Sequence, residues 1–219
     1  MRTVADITAD IVRKTPFLEE GLAKGLMNLS ALARHIKPEI TRRLYSEPSD
    51  ASIIMALSRL KPGLSKLSKA ADLKTLRNLT VRTGLIEYTF HPRTSLFALQ
   101  QKLFTEVESD KELFTSLTQG ATEVTLIISA TRAGLVEDLI HREGIVDTIA
   151  DLAAVSLKLR PEHIYTPGID YLLLKALAWE NINIIETIST YSEATFIFKE
   201  KDLALAFACL QEATSGSAV

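Results

Sequence analysis

The residues whose types and spacing could do chemistry gather at one turn. Pro167-Gly168 stands directly before a helix-forming run, IDYLLLKALAWE. Gly168 has no Cβ, so a ligand can approach the backbone there, and the first turn of the following helix offers N–H groups to a carboxylate. Asn181 and Asn183 follow at the next apolar run; each side chain holds a donor and an acceptor, which suits an α-ammonium and an α-carboxylate. His163 and Tyr165 flank the turn. A plainer reading stands beside this one: Pro-Gly makes turns, and Asn181 is a residue type that stops helices. Earlier in the chain, in His91-Pro92-Arg93-Thr94, the Arg93 guanidinium could grip a carboxylate bidentately or stand solvated.

Other chemistries find no footing. The chain carries no Gly-rich phosphate loop, nucleophile elbow or metal-ligand spacing. His35, His91, His141 and His163 are far apart, so neither a metal centre nor a cofactor is expected. Cys209 is the single cysteine; it excludes an intramolecular disulfide and reads as a small buried apolar residue. The adjacent acids Glu19-Glu20 and Glu137-Asp138 point in different directions on a helix. The expectation is a protein without catalytic residues.

These residues need elements to hold them. The chain has 219 residues, 47 % hydrophobic and 24 % charged, the composition of one large or two to three small globular domains. No apolar run approaches the roughly 18–20 residues of a membrane span, and the opening decapeptide carries Asp6 and Asp10 where a signal peptide would be apolar. A cytoplasmic protein without membrane contact is expected. Charge is uneven: residues 1–66 hold 11 Lys and Arg against 7 Asp and Glu, and residues 67–219 hold 14 against 20. A basic contact face joined to a neutral or acidic sensor module has this form, as does a random split of surface charge.

Residues 1–66 read as an all-α helical domain. Val4, Ile7 and Ile11 share a helical face, Thr15-Pro16 opens a second helix, and NLSALARHI (28–36) forms a third. Pro38 opens a fourth, PEITRRLY, and Ser49-Asp50 caps a fifth, ASIIMALSRL, which Lys61-Pro62-Gly63 ends. The third and fifth look helix-turn-helix-like, although PEITRRLYSEP intervenes where a short turn belongs. In that reading Ser49, Ser52 and Arg59 lie on the DNA-reading helix, with Arg34, Arg42, Arg43 and Lys61 near phosphates. The alternative is a docking or dimerisation module with solvated arginines.

Beyond residue 66 the sequence repeats. SLFALQQKLF from Ser95 aligns with GIDYLLLKAL from Gly168, pairing Leu99 with Leu172 and Phe104 with Leu177. EVTLII from Glu123 aligns with EATFIF from Glu193. Each repeat reads β-α-β-β-α: strand 79–91, helix 94–107, strands 112–118 and 122–129 and helix 132–142, then a half-buried strand at 155–160, helix 168–180, strands at 182–190 and 193–200, and a final helix. The expected fold class is α+β, two ferredoxin-like units with all helices on one sheet face, behind the helical domain.

The stretch TPGIDYLLLKALAWENINIIETISTYSEATFIF (166–198) resembles the ACT domain, and among ACT domains the C-terminal regulatory regions of aspartate kinases. Pro167-Gly168, the LLLKALAWENIN helix and Asn183-Ile184-Ile185 carry the resemblance. No kinase phosphate loop is present. The resemblance implies ACT-like domains at 74–145 and 150–213. It also implies a non-catalytic regulator that binds a small molecule, an amino acid, and forms homodimers through the ACT-like units. Its ligand residues would be Thr166, Pro167, Gly168, Ile169, Asp170, Asn181, Asn183 and Ile184, with Arg93 and Thr94 in the first repeat. Open sheet edges independently invite such pairing. The alternative function is an amino-acid-responsive transcription regulator in which the helical domain binds DNA.

Overall fold

Thr3 and Asp6 start the chain's first helix, α1 (Val4–Arg13), by capping each other. The Thr3 hydroxyl accepts from the Asp6 N–H at 3.2 Å, and the Asp6 carboxylate accepts from the Thr3 N–H at 2.9 Å. This satisfies donors that a helix start leaves open. A computed structural model describes residues 2–60, 73, 76–91, 96–110, 112–140 and 144–215. Helices α2 (Pro16–Ala23), α3 (Leu29–Leu44) and α4 (Asp50–Leu60) follow. Contacts divide the chain into Met1–Asp72 and Leu73–Val219.

In the first unit Ile7, Val12, Leu22, Leu32, Ile36, Ile40, Ile53 and Leu57 share one core. The structure corrects one expectation here. The helices expected at 28–36 and from Pro38 are a single helix, α3, with Pro38 inside it. Ile36 and Ile40 are both buried in the same core, so the apolar stripe runs straight past the proline. Pro38 itself is exposed, where the carbonyl four residues back can turn to water instead of a missing N–H. Tyr45, with φ 55°, ends the helix, and the link to α4 shortens to residues 45–49. The Ser49 hydroxyl caps α4 by accepting from the Ser52 N–H at 3.2 Å.

The second unit contains strand β1 (Arg77–Phe90), α5 (Phe97–Ser109), β2 (Thr115–Gln119), β3 (Val124–Ser129) and α6 (Ala133–Leu139). Then come β4 (Ile145–Lys158), the single-turn α7 (Pro161–Ile164), α8 (Ile169–Trp179), β5 (Ile184–Thr190), β6 (Glu193–Lys199) and α9 (Leu203–Ser215). The β-α-β-β-α order thus occurs twice, with α7 added. All six strands join one antiparallel sheet, in the order β2-β3-β1-β4-β6-β5.

The pairing exposes an internal two-fold. Leu85 of β1 lies opposite Leu152 of β4, and 152 is 85 plus 67. The same offset takes Phe90, paired with Val124, to Leu157, paired with Ala194. It also takes Gly84 to Asp151, at φ 64° and 57°. Each long strand is irregular at this point, where the register slips on one side of Leu85 and then on the other. Two bulges, each with a left-handed residue, therefore flank the axis.

Helices cover one face. Tyr88 and Phe90 of β1 and Val124, Leu126 and Ile128 of β3 meet Leu99 and Leu103 of α5 and Val136 of α6. The opposite face holds a second apolar cluster of Leu85, Ile127, Leu152, Ala154 and Ile197, all of them strand residues. Phe114, just before β2, and Ile185 and Ile188, of β5, pack on that same cluster. Because β2 and β5 are the two outermost strands, the sheet must curl around this face.

Three strand and helix expectations change. The strand expected at 155–160 begins at Ile145, and the division between residues 145 and 150 falls within β4. Residues 152–157 are buried on both faces rather than one, because β4 sits at the centre of a curled sheet. The helix alignment also moves by one residue. Leu99 and Leu103 are buried in α5, and Leu173 and Leu177 in α8, an offset of 74, while Phe104 is 72 % exposed.

Candidate ligand cleft

A cleft of about 530 Å³ opens where β4 hands the chain to α8. Pro161 starts the single turn α7, and the Arg160 N–H donates to His163 Nδ1 at 3.0 Å. That bond fixes the buried imidazole, and an accepting Nδ1 leaves the proton of a neutral ring on Nε2. The Thr166 hydroxyl donates to the Glu162 carbonyl at 2.8 Å, which closes the loop on itself. Gly168 then takes φ 95°, a left-handed conformation that favours glycine, and no side chain caps the helix it opens. The first turn of α8 thus lines the cleft with no side-chain cap at its N-terminus.

The walls are the loop from His163 to Gly168, the first turn of α8, and the far end of β5 at Ser189 and Thr190. Tyr165, Tyr171 and Tyr191 line the cleft as well; Tyr165 and Tyr191 are exposed. Asp170 places a carboxylate in the first helical turn. Among the described residues, no Lys or Arg lines the cleft.

Thr166, Pro167, Gly168, Ile169 and Asp170 are together at this cleft. Asn181, Asn183 and Ile184 are not. They lie past the C-terminal end of α8, whose 11 residues span about 16 Å. Asn181 is left-handed at φ 57°. Its N–H donates to the Ala178 carbonyl at 3.0 Å, and the Ile182 N–H donates to the Leu177 carbonyl at 3.1 Å. This pair of bonds is a Schellman stop, completed by the buried Ile182 and Leu177. Asn183 is exposed, and Ile184 pairs with Phe198 in the sheet. Expecting Asn181 and Asn183 beside the Gly168 turn is therefore corrected: the helix separates them. Sequence reasoning missed Tyr171, Ser189, Thr190 and Tyr191. The signal was present, since a strand returning antiparallel to its helix brings its last residues, not its first, to the helix start. Arg93 and Thr94 lie outside the described residues.

Two of the basic residues expected near phosphates are engaged in ion pairs. Arg42 and Arg43 both bind Glu39, and Arg43 Nη1 also meets Asp10 at 2.7 Å. The arginine pair holds the Glu39 carboxyl below its ordinary value, and Lys14, then Arg43, does so for Asp10. The Ser52 hydroxyl donates to the Ser49 carbonyl at 2.7 Å. Arg34 and Arg59 are exposed, and Lys61 lies outside the described residues. Cys209 is half-buried rather than buried, and burial pushes its thiol up.

Comparison with known proteins follows the sheet. No family model matches the chain, and no curated protein does. Among solved structures, it is similar to Clostridium acetobutylicum aspartate kinase, with 16 % identity over 64 % of this chain and a TM-score of 0.51. The match spans 35 % of that kinase. It is also similar to the ligand-free regulatory subunit of aspartate kinase from Thermus thermophilus, at 14 % identity, 64 % of this chain, 99 % of that one and a TM-score of 0.48. At these identities the likeness to the Clostridium kinase shows the fold alone, a mixed helix and antiparallel sheet. Among the described residues, no helix is long and apolar enough to cross a membrane.

Proposed function

We propose that this chain is a non-catalytic regulatory protein whose cleft at Gly168 binds an amino acid. One observation carries the reading. An uncapped helix start and a carboxylate, Asp170, face the same cleft. The N–H groups suit an α-carboxylate and Asp170 suits an α-ammonium, so the opposite charges of a zwitterion have separate partners. Occupancy would act on the loop from His163 and on β5. Among the described residues β2 and β5 are the two outer strands of the sheet, and we assign the homodimer contact to such an edge. The division into ACT-like domains at 74–145 and 150–213 belongs to the same proposal.

The test is a thermal-shift screen against the twenty amino acids at millimolar concentration. A ligand at 100 times its Kd stabilises by about 2.7 kcal/mol. Gly168→Trp should abolish the shift and leave the circular dichroism unchanged. A shift that survives this substitution removes the cleft from the reading, and the absence of any shift removes the amino acid.

A second reading has one observation in its favour. Helices α3 and α4 are joined by residues 45–49 alone, closer to a helix-turn-helix link than the sequence spacing implied. DNA binding would then rest on Arg34 and Arg59. Fluorescence anisotropy with a labelled duplex at low salt decides it: Arg34→Ala and Arg59→Ala should each weaken binding and flatten its salt dependence.

A further inference from the structure

The two repeats differ where the cleft is built. The offset between them is 67 at Leu85 and Leu152 and 74 at Leu99 and Leu173. The second repeat therefore holds seven more residues between strand and helix, 74 less 67, and α7 with the loop after it occupies that stretch. Tyr165 stands in this added loop. At the other wall the offset is 70, because Gln119 pairs with Val124 as Ser189 pairs with Ala194. That offset sets Ala121 in the first repeat where the second has Tyr191. Tyr171 matches Phe97 of the first repeat. Two of the three tyrosines that line the cleft are thus carried by the second repeat alone, and the first repeat folds without them.

Neither of those two rings is held by the core. Tyr165 is 82 % exposed and Tyr191 is 68 % exposed, and a ring left in water gains no burial on folding. Both line one cleft with Tyr171. A flat ring entering there would cover them, and aromatic pairs gain more than the area they bury. The space of about 530 Å³ lies within the roughly 300–1,000 Å³ of small-molecule sites. Charge narrows the choice of side chain. Lys175 Nζ stands 6.0 Å from the Tyr171 ring centre, so a ligand cation would meet a cation already at that ring. Asp170 lies in the same cleft, and among the described residues no Lys or Arg lines it, so an anionic side chain would meet an acid and find no base. A neutral ring meets neither obstacle.

We propose that the cleft selects a ligand with an aromatic side chain, whose ring stacks among Tyr165, Tyr171 and Tyr191. The assignment of the ligand's α-carboxylate and α-ammonium rests on the function proposed above; the preference for a ring rests on the tyrosines. Tyr171 follows Asp170 in the first turn of α8, so the ring and the α-ammonium are received at adjoining positions. Tyr191 stands at the turn between β5 and β6. A ring held between Tyr165 and Tyr191 therefore ties the added loop to that turn.

Isothermal titration calorimetry of the full chain tests the preference, with phenylalanine, cyclohexylalanine, leucine, lysine and glutamate as probes. Phenylalanine should bind more tightly than its saturated analogue cyclohexylalanine by roughly 2- to 12-fold, the range of an aromatic pair. Leucine, lysine and glutamate should each bind more weakly still. Tyr165→Ala and Tyr191→Ala should each weaken phenylalanine by up to roughly 12-fold and leave the circular dichroism unchanged, since both rings are exposed. Tyr191→Phe should keep the affinity. The proposal is overturned if any of the other four binds as tightly as phenylalanine, or if phenylalanine binds both alanine variants as it binds the parent chain. A non-aromatic amino acid that binds best, and is lost in Gly168→Trp, overturns the ring preference and leaves the amino-acid reading standing. The converse is read with 2-phenylethylamine and 3-phenylpropionate. Binding of either that is lost in Tyr191→Ala, with no amino acid bound, supports the ring preference and removes the amino acid. No binding by any of these compounds removes both.

Discussion

Leu152→Ala would show whether the two repeats fold as one body. Leu152 is fully buried and faces Leu85 across the internal two-fold axis. The truncation removes a buried isobutyl group and leaves a space that neighbours on a bulged strand can only partly fill. Buried Leu→Ala changes cost roughly 3–5 kcal/mol, of which the residual cavity is part. Because β1 and β4 join the repeats into one sheet, the loss should be felt on both sides. Native-state hydrogen exchange reads this directly. The slowest amides of β3, in the first repeat, and of β6, in the second, should both exchange faster, by roughly 100-fold or more for a loss of about 3 kcal/mol. Leu85→Ala should give the same pattern. The double substitution should cost less than the two singles together, since the side chains share one space. If β3 keeps its protection while β6 loses it, the repeats are separately stable domains, and the argument from the shared sheet is wrong.

Three more outcomes follow from single residues. Glu87 binds a proton more tightly when folded, so its contribution is present below pH 4.5 and lost as the pH rises towards 7; Glu87→Gln should recover at pH 8 up to about 3 kcal/mol, measured by urea denaturation at several pH values. The first unit should do the reverse, because Asp10 and Glu39 are depressed: circular dichroism of α1 and α3 should show stability falling as the pH drops through those lowered values. Pro38→Ala should raise the helical unit's midpoint, by an amount of up to about 3 kcal/mol if the proline's missing N–H and ring clash are both felt; an unchanged midpoint would mean α3 has already adapted by bending.

The elements were legible in the sequence wherever apolar spacing decided them. β3 and β6 were found because Val124, Leu126 and Ile128, like Ala194, Phe196 and Phe198, are apolar and buried at every second position. β4 was cut short because its first half, IVDTIADL, alternates poorly. Its left-handed residue is an aspartate at 151, which carries no turn signal as strong as the glycine at the matching position 84. Pro38 misled for a related reason. A proline marks a helix boundary only when the ring would face the core, and the burial of Ile36 and Ile40 is what turns it outward. At the cleft, the loop was found because Gly168 advertises its own conformation. The opposite wall was missed because Ser189, Thr190 and Tyr191 are ordinary residues placed there by topology alone.

The repeats also show where selection for something besides stability should be sought. An internal two-fold supplies its own control: whatever both halves share, the fold demands, and whatever one half alone carries needs another cause. The bulges at Gly84 and Asp151, and the facing leucines, are shared. Glu87 and Arg82 are not, because the same offset sets Ala154 and Ile149 in their places. An alanine is the stabler choice for a buried position with no hydrogen-bond partner, since a carboxyl there loses its hydration and gains nothing in return. Glu87→Ala makes that position alike in both repeats. If the change stabilises the chain equally at pH 5.5 and 8.5, the missing hydrogen bond alone is the cost. If it stabilises more at 8.5, the cost lies in ionising the buried acid, whose carboxyl burial holds up at about 7.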